Sequence, residues 1–372
     1  MIRFLTAGES HGPCLTVIIE GFPSGLEIDM ETINRDLARR QRGYGRNKRM
    51  QIEQDRAENL GGIINGHSIG APIVMRIENL DWVNWQERWA KGDLEPLVVP
   101  RPGHADYAGM VKYGFDDVRP VLERASARET AARVVAGTLA KHLLTQFNIN
   151  IGSYVTEIGG VAAPIQNMPM QDRFTFAEQS EVRCPDDKAS SQMIAAIDKV
   201  REEGDTLGGI FEVIATGVLV GLGSYVQWDR RLDARLAMAV MSIPAIKGVE
   251  IGTAFENTRL TGTQVQDDLY PNSDGINGIK RLTNRAGGIE GGMTNGENVI
   301  VRAAMKPIPT TIKPHQSVNM RTGASTQYRY QRSDFCAVPS AAIVGEAMVA
   351  WVLAEALVEK LGGDSLKEMK RT

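Results

Sequence analysis

Apolar residues form four short runs that predict strands. Each run is rich in β-branched side chains and is bounded by glycine, proline or other turn-forming residues, a pattern typical of strands in a sheet. The runs lie at residues 15–19, 71–77, 210–220 and 299–305.

A second spacing, with apolar residues three or four positions apart, predicts four helices. Ser126 and Glu129 form a capping-box pair that predicts the start of the first helix. The other three are predicted at residues 190–203, 232–241 and 339–361. Strands and helices do not alternate regularly, which favours an α+β fold with antiparallel sheets over a doubly wound nucleotide-binding fold.

Glycine accounts for 38 of the 372 residues and clusters between the apolar segments. Such clusters predict tight turns or places where the backbone approaches a ligand closely. They lie at residues 8–12, 43–45, 61–70 and 287–296. Because no low-complexity linker or clear internal repeat divides the chain, we expect one domain over residues 1–372.

Charge and composition exclude several classes of protein. The 42 lysines and arginines nearly balance the 45 acidic residues, so no global field attracts nucleic acid or anionic lipid. A hydrophobic share of 42% argues against disorder. The most apolar late segment, residues 347–358, is shorter than the ~20 residues of a membrane span. We therefore expect a soluble protein without a membrane segment.

Cysteine usage and the absence of common motifs narrow the chemistry. Three cysteines are too few for a disulfide framework or a zinc cluster, and they favour a reducing compartment. No signal peptide is visible, so we expect a cytoplasmic location. The sequence contains no Walker A loop, no Gly-x-Gly-x-x-Gly fingerprint and no His-Glu-x-x-His motif. We predict no metal site.

Arginine is the most informative residue type. Residues 35–49 carry seven basic side chains and one acid, Asp36, where a predicted helix runs into a glycine loop. Guanidinium groups bind phosphates and carboxylates through paired hydrogen bonds, so this segment fits an anionic ligand. A solvated basic surface remains an alternative. An RNA-binding arm is a third, although the interleaved aromatic residues that would stack on bases are missing.

Three further segments combine polar and basic groups. At residues 124–130, two arginines and Ser126 meet at a predicted helix start, where backbone N–H groups favour an anion. At residues 306–310, a lysine and a threonine flank two prolines, which stiffen an extended edge. At residues 332–334, an arginine and an aspartate precede the last helix. A capped helix, a strand-ending loop and a plain salt bridge are the respective alternatives.

The five histidines differ in their surroundings. His11 and His104 lie in loops between residues that restrict the backbone, where a titrating imidazole suits acid or base catalysis near neutral pH. His67 and His315 occupy loops of the same kind, whereas His142 lies on a predicted helix and is interpreted as structural. Composition alone does not choose among the loop histidines.

Seven of these segments, in chain order, closely resemble the signatures of the chorismate synthase family. The first two are Gly-Glu-Ser-His-Gly at residues 8–12 and the arginine-rich segment 39–46, which contains Gly-Tyr-Gly-Arg. The others lie at residues 101–106 (Arg-Pro-Gly-His-Ala-Asp), 124–130 (Arg-Ala-Ser-Ala-Arg-Glu-Thr), 245–252, 306–310 and 332–334. Together they span residues 8–334, nearly the whole chain, and the joint match is highly specific.

This resemblance implies a lyase of the shikimate pathway. The enzyme would eliminate phosphate in a 1,4 sense from 5-enolpyruvylshikimate 3-phosphate to give chorismate, and it would require reduced FMN without net oxidation. The cofactor supplies the difficult chemistry, and the protein supplies placement and charge. Two rival readings remain, a non-catalytic RNA-binding protein that uses residues 35–49 and a flavin oxidoreductase with net hydride transfer.

The resemblance also implies roles for individual residues. His11 would protonate the reduced flavin, His104 would protonate the departing phosphate, and Asp334 would act with flavin N5 in removing the C6 proton. Arg40 and Arg46 match positions that bind nicotinamide nucleotide or substrate. Substrate contacts would fall on Ser10, Arg49 and Arg128, and FMN contacts on Arg124, Ala125, Ser126, Pro244, Ala245, Gly291, Lys306, Pro307, Ile308, Pro309, Thr310 and Arg332.

Two departures from the family pattern are visible. Pro244 stands where the family often has a polar residue, so any flavin contact there would be through the backbone. Asn47 and Lys48 replace a usual glycine-rich pair, which would alter the mobility of that loop. Neither departure touches the implied acids and bases.

The resemblance further implies a β-α-β sandwich with internal pseudo-symmetry, assembled as a homotetramer that is a dimer of dimers. The sequence itself shows no such symmetry. It also leaves open whether the chain reduces its own flavin with NADPH or depends on a separate flavin reductase.

Overall fold

The computed structural model describes residues 2–46, 53–92, 94–276, 278–328 and 334–371. Two residues with predicted ligand contacts, Arg49 and Arg332, lie outside this part of the chain. In the described part, strands are numbered β1 to β17 in chain order: Arg3–Ala7, Cys14–Glu20, Ala57–Gly61, Ile63–Ile64, His67–Ser68, Ile73–Glu78, Asn150–Ile158, Val161–Ala162, Gly209–Thr216, Ile246–Ile251, Leu269–Ile276, Ile279–Arg281, Ile289–Glu290, Met293–Thr294, Val299–Met305, His315–Val318 and Ser325–Tyr328.

The α-helices of the described residues are numbered α1 to α12 in the same way. They span Met30–Gln41, Gln86–Lys91, Asp106–Tyr113, Arg119–Arg124, Thr130–Thr145, Met170–Gln179, Asp187–Glu202, Leu232–Met241, Ala254–Asn257, Gly262–Val265, Val338–Leu361 and Leu366–Met369. Short 3₁₀ turns lie at Leu80–Asn84, Ala127–Glu129 and Trp228–Arg230.

Two antiparallel sheets form the outer layers. The first has four strands in the order β1-β2-β6-β3, and the second has five in the order β10-β15-β9-β7-β8. In the first sheet, Leu5 lies opposite Ile18, which in turn lies opposite Val74. Alternate residues such as Val17 and Met75 are fully buried. Each sheet therefore has one face directed into the protein, as a period of two residues dictates.

The two sheets have the same topology. In the first, a hairpin pair (β1, β2) is followed by α1, then by β3 and β6, and finally by α5. In the second, β7 and β9 are followed by α8, then by β10 and β15, and finally by α11. Reading β7-β9-β15-β10 against β1-β2-β6-β3 gives the same order and the same antiparallel directions. The chain thus consists of two halves related by internal pseudo-symmetry.

Helices α1, α5, α8 and α11 fill the space between the sheets. Helix α5 packs on the first sheet, α11 on the second, and the two helices pack on each other. Their approach depends on glycine, because a Cβ on Gly137 would lie 2.3 Å from Ala347 Cα. In the same way, a Cβ on Gly345 would lie 2.6 Å from the ring of Phe211 in β9. This is the β-α-β sandwich that the resemblance implies.

Most of the predicted elements are confirmed. The predicted strands correspond to β2, β6, β9 and β15, and the predicted helices to α5, α7, α8 and α11. The first helix start differs from the prediction, because Ser126 caps a 3₁₀ turn through a bond from the Arg128 N–H (3.3 Å). Helix α5 itself begins at Thr130. Glu129 contacts Thr6 and Arg133 instead of closing a capping box with Ser126.

Helix α11 is longer than the apolar segment counted in the sequence. Its 24 residues are long and apolar enough, by length and composition, to cross a membrane. However, 89% of its most apolar 18-residue window is buried inside the protein. The helix also carries Glu346, which is completely buried among polar partners. It is the central helix of the core.

Candidate active site

A cavity of about 1270 Å³ opens where the two halves meet. Four connections line it: the segments that follow α1 and β6 in the first half, and their counterparts that follow α8 and β15 in the second. The turn between β1 and β2 completes the wall. The pseudo-symmetry therefore places the cavity between the two halves, and each half supplies part of its lining.

Most of the residues with predicted roles line this cavity. They are Ser10, His11, Arg40, Arg46, His104, Arg124, Ala125, Ser126, Arg128, Pro244, Ala245, Lys306, Ile308, Pro309, Thr310 and Asp334. Pro307 and Gly291 are not in the described wall. Gly291 lies in the turn before β14, beside Gly292, whose carbonyl accepts from the Leu232 N–H at the start of α8. Gly291 therefore lies near the first residue of α8. The cavity-lining residues 243–245 follow the last residue of this helix, which is about 15 Å long.

The cavity is electropositive. Nine of its described lining residues are arginine or lysine, and five are aspartate or glutamate. Arg124 contacts only neutral partners among the described residues, namely the carbonyls of Thr6 and Gly8 and the hydroxyl of Thr6. Lys306 donates to the Gly103 carbonyl. Cations without a carboxylate partner favour an anionic ligand.

His11 is held in the β1–β2 turn by Glu123. The His11 Nδ1 atom lies 2.9 and 3.1 Å from the two carboxylate oxygens, and the His11 backbone N–H donates to Oε2 at 2.7 Å. The ring also packs against Trp85, with centroids 4.5 Å apart. Glu123 is the penultimate residue of α4 and is almost fully buried.

His104 is held in the same manner from another direction. Its Nδ1 lies 2.5 Å from Oδ1 of Asp106, the first residue of α3. Arg101 binds the same carboxylate through Nε (2.7 Å) and Nη2 (2.9 Å). Burial alone would raise the pKa of Asp106, but the hydrogen bonds from His104 and Arg101 hold it well below its usual range. The carboxylate is therefore anionic.

Asp334 and Arg46 form an ion pair in the cavity wall. The Oδ2 atom of Asp334 lies 3.0 Å from Nη1 of Arg46, and both side chains are mostly buried. The Nε atom of Arg46 is also buried, and it has no hydrogen-bond partner among the described residues. A buried donor of this kind costs free energy unless a ligand or water accepts from it.

Arg40 and Arg128 form a buried support beneath the cavity. Asp55, whose side chain is fully buried, lies between them: it accepts from Arg40 Nη1 at 3.2 Å and from Arg128 Nη1. Arg128 also donates to Asn79 (2.8 Å). Burial lowers the pKa of Arg40 to about 10, partly offset by Asp55. Both guanidinium groups are fixed by the protein before any ligand arrives.

Adjacent arginines of the second predicted signature point in different directions. Arg40 lines the cavity, whereas Arg39 binds Glu346 in the helical layer at 2.9 Å. Lys141 lies 2.7 Å from the same carboxylate. Neighbouring positions on a helix are separated by about 100°, so a run of basic residues cannot all face one ligand. Arg39 therefore belongs to a buried ion network and not to the cavity.

A strip of low polarity forms another part of the cavity wall. It consists of residues 243–245 and 308–309, and the Lys306 N–H donates to the Ala245 carbonyl at 3.0 Å. Ala245 has a φ of 69°, a left-handed conformation that is costly for a residue with a Cβ. Such strain is found where surrounding structure over-determines a functional segment. Pro244, where the sequence predicts that any flavin contact would be through the backbone, lies in this wall.

Several cavity residues carry no role in the sequence prediction. Asp106 and Arg101 belong to the quoted signature at residues 101–106, but the signature itself does not reveal that they hold His104. Glu123 immediately precedes another signature and lies outside it. Trp85 and Arg88 come from an unremarkable segment, and only their packing beside His11 and along the cavity reveals them.

Comparison with known proteins agrees with this arrangement. The sequence model of the family described as chorismate synthase matches residues 2–358. The chain belongs to the chorismate synthase family. The chorismate synthase of Chlorobaculum tepidum is 53% identical over 100% of this chain and 96% of its own length. That of Desulforudis audaxviator is also 53% identical, over 99% and 95% respectively.

A solved structure gives the same result. The crystal structure of a chorismate synthase superposes with a TM-score of 0.81 at 43% identity, covering 100% of this chain and 95% of the other. The α+β fold and the family expected from the resemblance are thus confirmed. The activity is that of a chorismate synthase, a carbon–oxygen lyase of the shikimate pathway in aromatic amino-acid biosynthesis.

Proposed function

We propose that the cavity between the two halves is where this reaction takes place, with 5-enolpyruvylshikimate 3-phosphate and reduced FMN bound side by side. The observation that carries the proposal is the convergence of His11, His104, Asp334 and cations without a described carboxylate partner on one space of about 1270 Å³. Drug-sized ligand pockets commonly measure about 300–1,000 Å³. The cavity therefore has room for two small anionic molecules.

The residues present fit a flat ring that carries a phosphate. Residues 243–245 and 308–309 form the apolar strip against which a ring would lie. Arg124 and Lys306 have no carboxylate partner among the described residues, so their charges favour a phosphate oxygen. Ser126 adds a hydroxyl at the start of a 3₁₀ turn. Reduced FMN, when bound there, would supply an electron transiently while the allylic C–O bond breaks.

His104 is proposed to give a proton to the departing phosphate. Its Nδ1 is turned to Asp106, so Nε2 is the ring nitrogen that serves the cavity. A phosphate trianion is a poor leaving group, and protonation by a positioned acid typically gains about 10²–10⁴ in rate. His11, turned the same way by Glu123, is proposed to hold a proton at Nε2 beside the ring of the cofactor.

Asp334 is proposed to take part in the removal of the C6 proton. Its ion pair with Arg46 holds the carboxylate in the cavity wall, and a carboxylate is a group that can accept a proton. Arg40, Arg46 and Arg128 are proposed to set the positive potential that holds the substrate. Because Arg40 and Arg128 are already fixed by Asp55, that potential costs no reorganisation when the substrate binds. Ser10, buried against Ser126 at 3.0 Å, is proposed as a substrate contact.

The decisive experiment is an anaerobic assay of chorismate formation with chemically reduced FMN, with and without NADPH. Chorismate formed with reduced FMN alone supports the lyase. A further arm starts from oxidised FMN plus NADPH: formation there would show that the chain reduces its own flavin, and no formation there would show that it depends on an external reductant, such as a separate flavin reductase. NADPH consumption equal to product would instead favour a net oxidoreductase, and no product with reduced FMN would contradict the proposal.

The RNA-binding alternative has a simple discriminator. Binding through residues 35–49 would be strongly salt-dependent and would require those arginines to be accessible. Arg39 and Arg40 are instead occupied by Glu346 and Asp55 inside the protein. We expect no RNA binding at physiological ionic strength in a filter-binding titration.

We propose that the chain is a cytoplasmic homotetramer. Large apolar side chains are strongly exposed in the segment between β9 and α8, where Trp228 is 79% and Tyr225 71% accessible. Met238 on α8 is 70% accessible. Exposed apolar clusters of this kind mark interaction surfaces. Light scattering coupled to size-exclusion chromatography measures the mass directly, and a Trp228→Glu variant is expected to yield smaller species.

A further inference from the structure

We propose that Glu123 and Asp106 are positioning residues that each fix Nδ1 of one cavity histidine, so that Nε2 carries the catalytic proton. The inference deepens the proposed function, because it concerns the two acids assigned to the cavity. Among the described histidines, His11 and His104 are the ones with a carboxylate on the ring. They are also the ones that line the cavity.

Other histidines show that this pairing is not a general feature of the chain. His67 is exposed, and its Nδ1 lies 2.9 Å from the Asn65 carbonyl. Neither ring nitrogen of His142 has a hydrogen-bond partner among the described residues. Among the described contacts, the two histidine rings that bind a carboxylate are therefore the two that line the cavity.

Glu123 controls both the backbone and the ring of His11. Its Oε2 accepts from the His11 backbone N–H at 2.7 Å, and its own carbonyl accepts from the Ser10 N–H at 3.1 Å. These two bonds hold the backbone of the turn. The additional contact to Nδ1, at 2.9 Å, acts on the ring and decides which ring nitrogen is protonated.

Asp106 is itself held rigidly. Its Oδ2 accepts from the backbone N–H (3.0 Å) and Nε (2.7 Å) of Arg101, and its Oδ1 accepts from Nη2 of Arg101 (2.9 Å). The carboxylate cannot rotate without breaking these bonds. Because an ionised carboxylate only accepts hydrogen bonds, the Nδ1 of His104 must be the donor in their contact.

The charge of each carboxylate matters as much as its position. When His104 loses a proton from Nε2 to a phosphate oxygen, Nδ1 keeps its hydrogen and the ring ends neutral. The starting imidazolium lies beside Arg101, at 3.0 Å, and near Lys306, which binds the Gly103 carbonyl. Asp106 brings a compensating negative charge into contact with the ring of His104. Glu123 does the same for His11, whose neighbour Trp85 lies under Arg88.

Two variants test the proposal, Glu123→Gln and Asp106→Asn. Both keep the shape and an amide oxygen, but they remove the charge and offer an N–H that favours the wrong tautomer. We expect kcat to fall about 100-fold or more while KM changes little, since the lost interaction acts on proton transfer and not on binding. Glu250→Gln is the matched control: it neutralises a buried carboxylate that binds Arg302 and is not among the residues that line the cavity.

A spectroscopic readout is independent of turnover. In the full-length protein with 15N-labelled histidine, NMR is expected to show Nδ1 of His11 and His104 protonated near pH 7, with assignments from His11→Gln and His104→Gln. In each carboxylate variant, the affected ring is expected to shift toward the tautomer protonated at Nε2. The other ring and the Glu250→Gln control are expected to stay unchanged.

Several outcomes would overturn the inference. Wild-type rings with unprotonated Nδ1 would do so even if both variants failed to fold. Equal losses in kcat and in substrate binding would assign the carboxylates to the binding surface instead. If the wild type forms no chorismate but the tautomers behave as described, the proposed site is wrong and the positioning inference stands. If the wild type is active and the variants keep normal kcat and tautomers, the proposed site stands and the positioning inference is wrong.

Discussion

The cationic side chains in the cavity differ mainly in the hydrogen-bond partners that the protein already gives them. Arg40 and Arg128 have their hydrogen bonds satisfied by buried protein groups, so they contribute potential more than direct contacts. Lys306 and Arg124 contact only neutral oxygens among the described residues. The side chains that bind an incoming phosphate directly are therefore expected to be the latter pair.

A Lys306→Met variant tests this distinction. Removing a charged donor from a phosphate is expected to weaken reduced FMN binding by about 1.5–3 kcal/mol, or roughly tenfold to a few hundredfold in Kd. Anaerobic titration with reduced FMN measures the change. Lys313→Met is the matched control, because Lys313 follows in the same connection, is half exposed and lies near Asp205 outside the cavity. Equal effects of both changes would contradict the assignment.

The apolar helix α11 carries a buried charge in the middle of the hydrophobic core. Glu346 lies in the middle of α11 and is fully buried, yet Arg39, Lys141 and Arg183 all approach it within 4 Å. Burial alone would raise the pKa of Glu346, but Arg39 and Lys141 hold it well below its usual range. The network ties α1, α5 and α11 together at one level of the helical layer.

Neutralising this carboxylate is expected to be costly. In Glu346→Gln, the surrounding cations lose a buried partner, and the free energy of unfolding is expected to fall by about 3–5 kcal/mol. Urea denaturation followed by circular dichroism measures the loss. The control is Glu58→Gln on β3, an exposed carboxylate 3.6 Å from Arg76, where the loss is expected to stay below about 1 kcal/mol. Similar losses in both variants would show that the network is not a stabilising unit.

Helix α5 gives the fold a pH dependence through His142. Burial lowers the pKa of this imidazole below its ordinary value of 6.5; Asp29 and Asp36 partly offset that shift, and Lys141 and Arg35 add to it. The folded state thus binds fewer protons than the unfolded chain. Stability is fully present above the unfolded pKa and declines as pH falls below it.

The size of this effect can be measured by urea unfolding at about pH 7.5 and about pH 5.5. The free energy of unfolding is expected to drop by at most about 1.4 kcal/mol per pH unit through this group. His142→Phe is expected to remove that component, and His67→Phe, which changes an exposed ring, to retain it. An unchanged slope in His142→Phe would show that other groups dominate.

At the level of the whole molecule, the two halves share one core. Helices α5 and α11 end the two halves, and they pack on each other at Gly137 and Ala347. The cavity likewise takes its histidines from the first half and its apolar strip from the second. Neither half can bury its own helix or complete the cavity alone.

We therefore propose that residues 1–372 form a single domain that unfolds as one unit. Differential scanning calorimetry is expected to show one transition, with a van't Hoff enthalpy about equal to the calorimetric enthalpy per cooperative unit. Gly137→Leu, which forces α5 away from α11, is expected to lower the midpoint of the whole transition. Two separate transitions, of which only one moves in the variant, would contradict a single domain.

The sequence alone determined the kinds of element and the family. Strand and helix runs such as residues 299–305 and 232–241 are found where the structure has β15 and α8, because their apolar spacing is a local property. The signatures determined the family because they combine residue types and order over most of the chain. Both cavity histidines and some of the cavity arginines, such as Arg40 and Arg128, also lie in those signatures.

Only the tertiary structure decided which residues meet. The separation of Arg39 from Arg40, and the pairing of His11 with Glu123 across 112 positions, depend on contacts that no local pattern encodes. The repeated topology of the two sheets is invisible in the sequence because each half meets its requirements with different side chains. Local spacing reports which face of an element is buried; only packing in three dimensions brings a particular carboxylate to a particular imidazole.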